Sequence, residues 1–136
     1  MQEGSRNQLG NTRNPHQTDA KRVLCVCSAG MLRSPSLANM LHKEFGYNTR
    51  AAGTEEDFAL IPVSEALIVW ADEIVFVESR NRQSLIWNLM ESKLDRLIPV
   101  VQEKAIVLGL PDKYDWMAPE LQIAILEQYK EAVDKK

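Results

Sequence analysis

The sequence has few of the residues from which metal sites, disulfide frameworks and membrane spans are built. It contains two cysteines and two histidines among 136 residues, and they form no cluster with the spacing of metal ligands. No apolar stretch approaches the length that spans a membrane, and no charged segment leads into the hydrophobic core of a signal peptide. We therefore expect no bound metal and no membrane partner.

The charge balance argues against nucleic acid as a partner. The formal net charge is −3, and no basic stripe alternates with aromatic residues. A hydrophobic content of 45% and a charged content of 26% are ordinary for a globular protein, and the length is close to the commonest domain size. The composition predicts one small folded domain.

The first twenty residues differ in composition from the rest. Residues 1–20 are rich in Gln, Asn, Gly, Ser, Thr and Arg, and Leu9 is their only large aliphatic residue after Met1. Such a segment buries too little apolar surface to offset the entropy lost on ordering. We predict a flexible polar tail over residues 1–20 and an α/β domain over residues 21–136.

From residue 21 onward, short apolar runs alternate with helical patterns. The sequence predicts strands over residues 22–26, 49–52, 73–77 and 104–108, and helices over residues 34–45, 64–70, 79–93 and 119–132. Residues 95–102 fit neither pattern, because Pro99 interrupts them. Strands that alternate with helices favour parallel βαβ units. We predict an α/β fold with a small doubly wound parallel sheet of about four strands and helices on both faces.

Residues 27–34, which we call the 27–34 loop, form the most informative segment, because they place a cysteine and an arginine six positions apart. It follows an apolar run, and Ser34-Pro35 at its end is typical of a helix start. Backbone N–H groups and the helix dipole favour an anion at such a junction. There, Cys27 would be stabilised as a nucleophilic thiolate, and Arg33 could hold two oxygens of a tetrahedral oxyanion. A structural cysteine near a surface arginine has the same Cys-X5-Arg spacing, but the strand and helix around it favour phosphoryl transfer through a cysteinyl phosphate.

Both cysteines lie on or beside the first predicted strand. We expect Cys25 and Cys27, two positions apart, to face opposite sides of the sheet and to form no disulfide. Cys25 is expected to behave as a small buried hydrophobe. Unpaired cysteines are typical of a reducing compartment, which predicts a cytoplasmic protein.

Several segments resemble low-molecular-weight protein tyrosine phosphatases, in particular a compact bacterial and phage branch of that family. The resemblance covers about residues 21–126 in order, and nothing in the first twenty residues matches. The 27–34 loop resembles the phosphate-binding loop of the family, and residues 52–54 resemble the end of its Ser-Ala-Gly-Thr strand. Residues 70–77 match a further strand, and residues 110–114 match the segment that carries the general acid.

The resemblance implies a metal-independent phosphatase without a cofactor, acting on a phosphotyrosine protein or a small aryl phosphate. It implies that Cys27 attacks phosphorus, that Arg33 clamps the phosphate oxygens and that Asp112 protonates the leaving oxygen. Tyr114 would line the substrate pocket. Ser34 would hydrogen-bond the thiolate, although a helix cap explains a serine there equally well. The phosphate-binding residues would be Ser28, Ala29, Gly30, Met31, Leu32, Arg33 and Ser34.

Two positions and one segment depart from the family pattern. Many members have asparagine at the position of Gly30, where its side chain braces the loop, and a second cysteine at the position of Leu32. The usual Asp-Pro-Tyr acid motif is replaced by residues 111–115, Pro-Asp-Lys-Tyr-Asp, so Asp115 is an alternative to Asp112. Two other functions stay open. Gly30 and the altered acid motif are compatible with a phosphate- or phosphoprotein-binding module without turnover. Arsenate reductases use a similar loop, but their chemistry usually needs further cysteines, and none follows Cys27 in this sequence.

Overall fold

Four apolar runs form one parallel sheet. The structure, a computed structural model, describes residues 20–28, 33–54, 62–110 and 118–135. The strands are β1 (Arg22–Cys27), β2 (Asn48–Gly53), β3 (Glu73–Phe76) and β4 (Ala105–Val107). Their order is β2-β1-β3-β4, and every neighbouring pair is parallel. The predicted four-stranded parallel sheet is confirmed.

Helices connect these strands. In the described residues they are α1 (Arg33–Phe45), α2 (Glu65–Trp70), α3 (Ser79–Glu91), α4 (Ile98–Lys104) and α5 (Pro119–Lys135), with a 3-10 turn at Asp95–Leu97. Ser64 caps α2 as its sequence predicts, because its hydroxyl accepts a hydrogen bond from the Leu67 N–H group. Pro99 lies in the first turn of α4, where a missing N–H group breaks no helical hydrogen bond. The proline therefore begins a helix in a segment whose structure the sequence left ambiguous.

Alternating residues of β1 divide the core into two layers. Val23, Cys25 and Cys27 pack with residues of α1 and α5, whereas Leu24 and Val26 pack with residues of α2, α3 and α4. Helices on both faces confirm the doubly wound architecture. The expectation that the two cysteines face opposite sides was wrong, because residues two apart in a strand share a face. No disulfide joins them, as expected.

The predicted domain boundary lies at the edge of the described residues. Residues 1–19 lie outside them, so the flexible tail stays a prediction. Within the ranges that the structure describes, none of the helices combines the length and apolar character needed to cross a membrane.

Candidate active site

Cys27 is the last residue of β1, which lies between β2 and β3 in the sheet. The residue that follows each of these two neighbouring strands still forms a hydrogen bond with β1. The Thr54 N–H group donates to the Cys27 carbonyl oxygen at 3.0 Å, and the Val77 N–H group donates to the Val26 carbonyl oxygen at 2.8 Å. Ligands of open parallel sheets bind outside the carboxyl ends of the strands. The 27–34 loop thus begins at the edge of the sheet where this architecture binds its ligands.

A hydrogen bond joins the two ends of the 27–34 loop. Cys27 Sγ lies 3.0 Å from Ser34 Oγ, and both side chains are buried. Helix α1 begins at Arg33, one residue earlier than predicted, so Ser34 lies inside the first turn and does not precede the helix as a cap. A serine hydroxyl can donate as well as accept, and donation to sulfur stabilises a thiolate. The geometry suits a cysteine that acts as a nucleophile.

Helix α1 begins at Arg33, six residues after Cys27, at the far end of the 27–34 loop. The first N–H groups of a helix have no partner within the helix, and the helix dipole is positive at this end. Arg33 is the first residue of α1, but its side chain lies outside the described part of the structure. Residues 29–32 also lie outside the described residues. The phosphate-binding roles of Ala29, Gly30, Met31, Leu32 and Arg33 therefore stay predictions.

Asn81, which the sequence analysis did not single out, contacts the 27–34 loop from α3. Its Nδ2 atom donates to Ser28 Oγ at 3.2 Å, and its Oδ1 atom accepts the Glu78 N–H group at 3.0 Å. Asn81 is buried, and Ser28 is half-buried. The sequence signal for this residue is weak: Asn81 forms a capping box with Glu78, three positions earlier, but Glu-x-x-Asn departs from the usual Ser/Thr-x-x-Glu/Gln pattern. A capping pattern concerns the Oδ1 atom of Asn81 and does not indicate which distant residue its Nδ2 atom contacts.

The chain is fixed at the same end of the sheet just before the predicted general acid. The Leu110 N–H group donates to the Val77 carbonyl oxygen at 3.0 Å, and Leu110 is fully buried. The Gln128 side chain holds Gly109 on both sides: Gly109 N–H donates to Oε1 at 2.7 Å, and Nε2 donates to the Gly109 carbonyl oxygen at 3.3 Å. Residues 111–117, which include Asp112, Tyr114 and Asp115, lie outside the described residues. Their roles stay predictions.

Several solved structures that are similar to this one are low-molecular-weight tyrosine phosphatases or related phosphatases. The structure is similar to Wzb from Vibrio vulnificus in complex with benzylphosphonate, with a TM-score of 0.55, 19% identity and coverage of 85% of this chain and 96% of that one. It is similar to the tyrosine phosphatase Wzb from Escherichia coli K30 in complex with phosphate, with a TM-score of 0.55, 15% identity and coverage of 85% and 95%.

A third similar structure is the YwlE arginine phosphatase from Geobacillus stearothermophilus, with a TM-score of 0.53, 17% identity and coverage of 84% of this chain and 88% of that one. No protein-family model and no curated protein matches the sequence. The chain therefore has the fold of the low-molecular-weight phosphatases, and at these identities the likeness extends to the fold alone.

The two cysteines should differ sharply in their reaction with iodoacetate. We expect Cys27 to be alkylated at least about tenfold faster than Cys25 at about pH 6.5, and inorganic phosphate to slow the reaction at Cys27. Burial, and secondarily the charges of Glu73 and Cys27, raises the pKa of the Cys25 thiol well above its usual range, which keeps it protonated and unreactive. Peptide mass spectrometry of timed samples measures both rates. Equal, phosphate-insensitive alkylation of the two thiols would show that the 27–34 loop is not an anion site.

Proposed function

We propose that the protein is a metal-independent phosphatase that hydrolyses phosphotyrosine or aryl phosphates through a cysteinyl-phosphate intermediate. The observation that carries this proposal is the 3.0 Å contact between Cys27 Sγ and Ser34 Oγ at the carboxyl end of β1. The helix that begins at Arg33 and a fold shared with phosphatases support it. The remaining machinery is assigned from the resemblance of the sequence.

In the proposed first step, the Cys27 thiolate attacks phosphorus as the bond from phosphorus to the phenolic oxygen breaks. Asp112 gives its proton to that departing oxygen. Charge on the three equatorial phosphate oxygens is held by the N–H groups of residues 28–33 and by the guanidinium of Arg33. The Ser34 hydroxyl stabilises the attacking thiolate through the hydrogen bond described above.

In the second step, water attacks the phosphorus of the phosphocysteine. The carboxylate of Asp112 takes the proton from that water, the bond between sulfur and phosphorus breaks, and the Cys27 thiolate is restored. The products are a phenol and inorganic phosphate, and no electron transfer or metal is needed. Tyr114 would stack on the aromatic ring of the substrate, which favours a phosphorylated tyrosine side chain or a small aryl phosphate.

Turnover of p-nitrophenyl phosphate in the presence of EDTA tests the activity. We expect hydrolysis that vanadate inhibits competitively, because vanadate resembles the transferred phosphoryl group. A protein that binds phosphate but hydrolyses neither p-nitrophenyl phosphate nor a phosphotyrosine peptide would be a binding module. A protein that neither binds phosphate nor hydrolyses these substrates would contradict the assignment of the 27–34 loop as a phosphate site.

The general acid can be identified from the leaving-group dependence of the rate. A poor leaving group needs a proton as it departs, whereas a good one leaves without it, so Asp112→Asn should lower hydrolysis of phenyl phosphate by about 100-fold or more. The loss should be smaller for an aryl phosphate with a strongly acidic phenol. Asp115→Asn is the matched control, and it should leave the leaving-group dependence unchanged. The reverse pattern would transfer the role to Asp115, and no effect from either variant would contradict an acid in this segment.

A further inference from the structure

Asn81 joins the start of α3 to the first residue after the proposed nucleophile. Its side chain is 1% exposed, and both ends of its amide are used. Oδ1 accepts the Glu78 N–H group at 3.0 Å, and Nδ2 donates to Ser28 Oγ at 3.2 Å. The first contact anchors the amide to the helix, so the second holds Ser28 at a fixed distance from α3.

The chain on either side of Ser28 explains why this contact bears on phosphate binding. The Cys27 carbonyl oxygen accepts a hydrogen bond from the Thr54 N–H group at 3.0 Å, and the Ser28 hydroxyl accepts one from Asn81 Nδ2 at 3.2 Å, so the sheet and α3 together fix the chain at the entrance to the 27–34 loop. In the proposed site, the N–H groups that follow must converge on one anion. A fixed Ser28 lowers the conformational entropy that would be lost when the following residues order around the anion.

We propose that Asn81 is a positioning residue that braces the 27–34 loop from outside, through the hydroxyl of Ser28. This inference rests on the proposed function, because it assumes that the loop binds phosphate. Gly30 has no side chain with which to brace the loop from within. The hydrogen bond from α3 instead fixes the entrance to the loop, at Ser28.

The test is a cycle of Ser28→Ala, Asn81→Ala and the double variant. The measured quantity is the concentration of inorganic phosphate that halves the rate of Cys27 alkylation by iodoacetate, which requires no turnover. Each single variant should raise this concentration about fivefold, the range expected when one hydrogen bond is lost. The double variant should also lose about fivefold and not the product of the two effects, because the two side chains act through one contact. In the turnover assay, kcat/KM for p-nitrophenyl phosphate should fall in parallel.

The two single variants separate positioning from stability. Asn81→Ala also removes the acceptor of the Glu78 N–H group, so it should lower the unfolding temperature, whereas Ser28→Ala leaves that helix cap and the Ser28 backbone N–H group intact. Leu89→Ala is the control on the same helix. It removes buried apolar packing on the face of the sheet opposite Cys27, so it should lower the unfolding temperature without changing protection by phosphate.

Two outcomes would overturn the brace while leaving the proposed function intact. In one, phosphate protects Cys27 equally well in the wild type and in both single variants. In the other, the effects of Ser28→Ala and Asn81→Ala multiply in the double variant, which would mean that the side chains act separately. Failure of phosphate to protect Cys27 in the wild-type protein would contradict the phosphate site itself, and the brace with it.

Discussion

Replacement of Cys27 by serine should lower the hydrolysis of aryl phosphates by about 10⁴-fold or more, while phosphate analogues still bind. A serine hydroxyl is close in size to the thiol and leaves the backbone N–H groups of the 27–34 loop in place. Its oxygen stays protonated at neutral pH, so it is a far weaker nucleophile than a thiolate. Binding is therefore expected to survive a change that removes the chemistry.

Vanadate or tungstate binding by calorimetry, together with turnover of p-nitrophenyl phosphate, measures both parts of this prediction. Cys25→Ser is the matched control, because it makes the same atomic change two residues earlier on the same face of β1. It buries a hydroxyl in the apolar core, so it should reduce stability by about 1–3 kcal/mol and keep the activity of the folded protein. Substantial hydrolysis by Cys27→Ser would refute the covalent mechanism.

Arg33→Lys should lower kcat/KM by about 10²–10³-fold, although it preserves the positive charge. A guanidinium presents two parallel N–H donors to two phosphate oxygens, whereas an ammonium acts as a point charge and cannot reproduce this geometry. The transition state carries its charge on those oxygens, so the loss should appear mainly in kcat.

Arg96→Lys is the control for the chemical change itself. Arg96 pairs with Glu65 at 2.9 Å on the exposed surface, far from the carboxyl end of β1 in the sequence and outside the proposed machinery. Its replacement should change neither kcat nor KM. An Arg33→Lys variant that retains wild-type kcat/KM would rule out the bidentate clamp.

The fold could be predicted from the sequence because its signals are local. Short apolar runs separated by helical patterns define four parallel strands, and the structure has all four. The segment around Pro99 was ambiguous because a proline can either end a helix or occupy its first turn. In the structure it occupies the first turn of α4, and this helix buries Val101 in the core, a tertiary contact that the local sequence does not indicate. The predicted start of α1 was one residue too late. A serine before a proline is typical of a helix cap, but Ser34 lies inside the first turn, where its hydroxyl hydrogen-bonds to the sulfur of Cys27.

The site could be predicted only in part. Cys27 and Ser34 are seven positions apart, and one strand-to-helix loop brings them together, so a local motif indicates the contact. Asn81 and Ser28 are 53 positions apart, and their contact depends on β3 lying beside β1 in the sheet. The hydrogen bonds between the Gln128 side chain and Gly109 likewise depend on the packing of α5 against β4, which no local sequence pattern specifies.

The central claim is that phosphate passes through a covalent bond to Cys27, and trapping that bond tests it most directly. The protein would be quenched rapidly in acid during incubation with p-nitrophenyl phosphate, digested, and analysed by mass spectrometry to locate the phosphate. Asp112→Asn is expected to accumulate more of the intermediate, because the water that cleaves it lacks its base. The account predicts a phosphorylated peptide with the phosphate on the sulfur of Cys27. Sustained turnover with no phosphate on Cys27, or with phosphate on another residue, would contradict it.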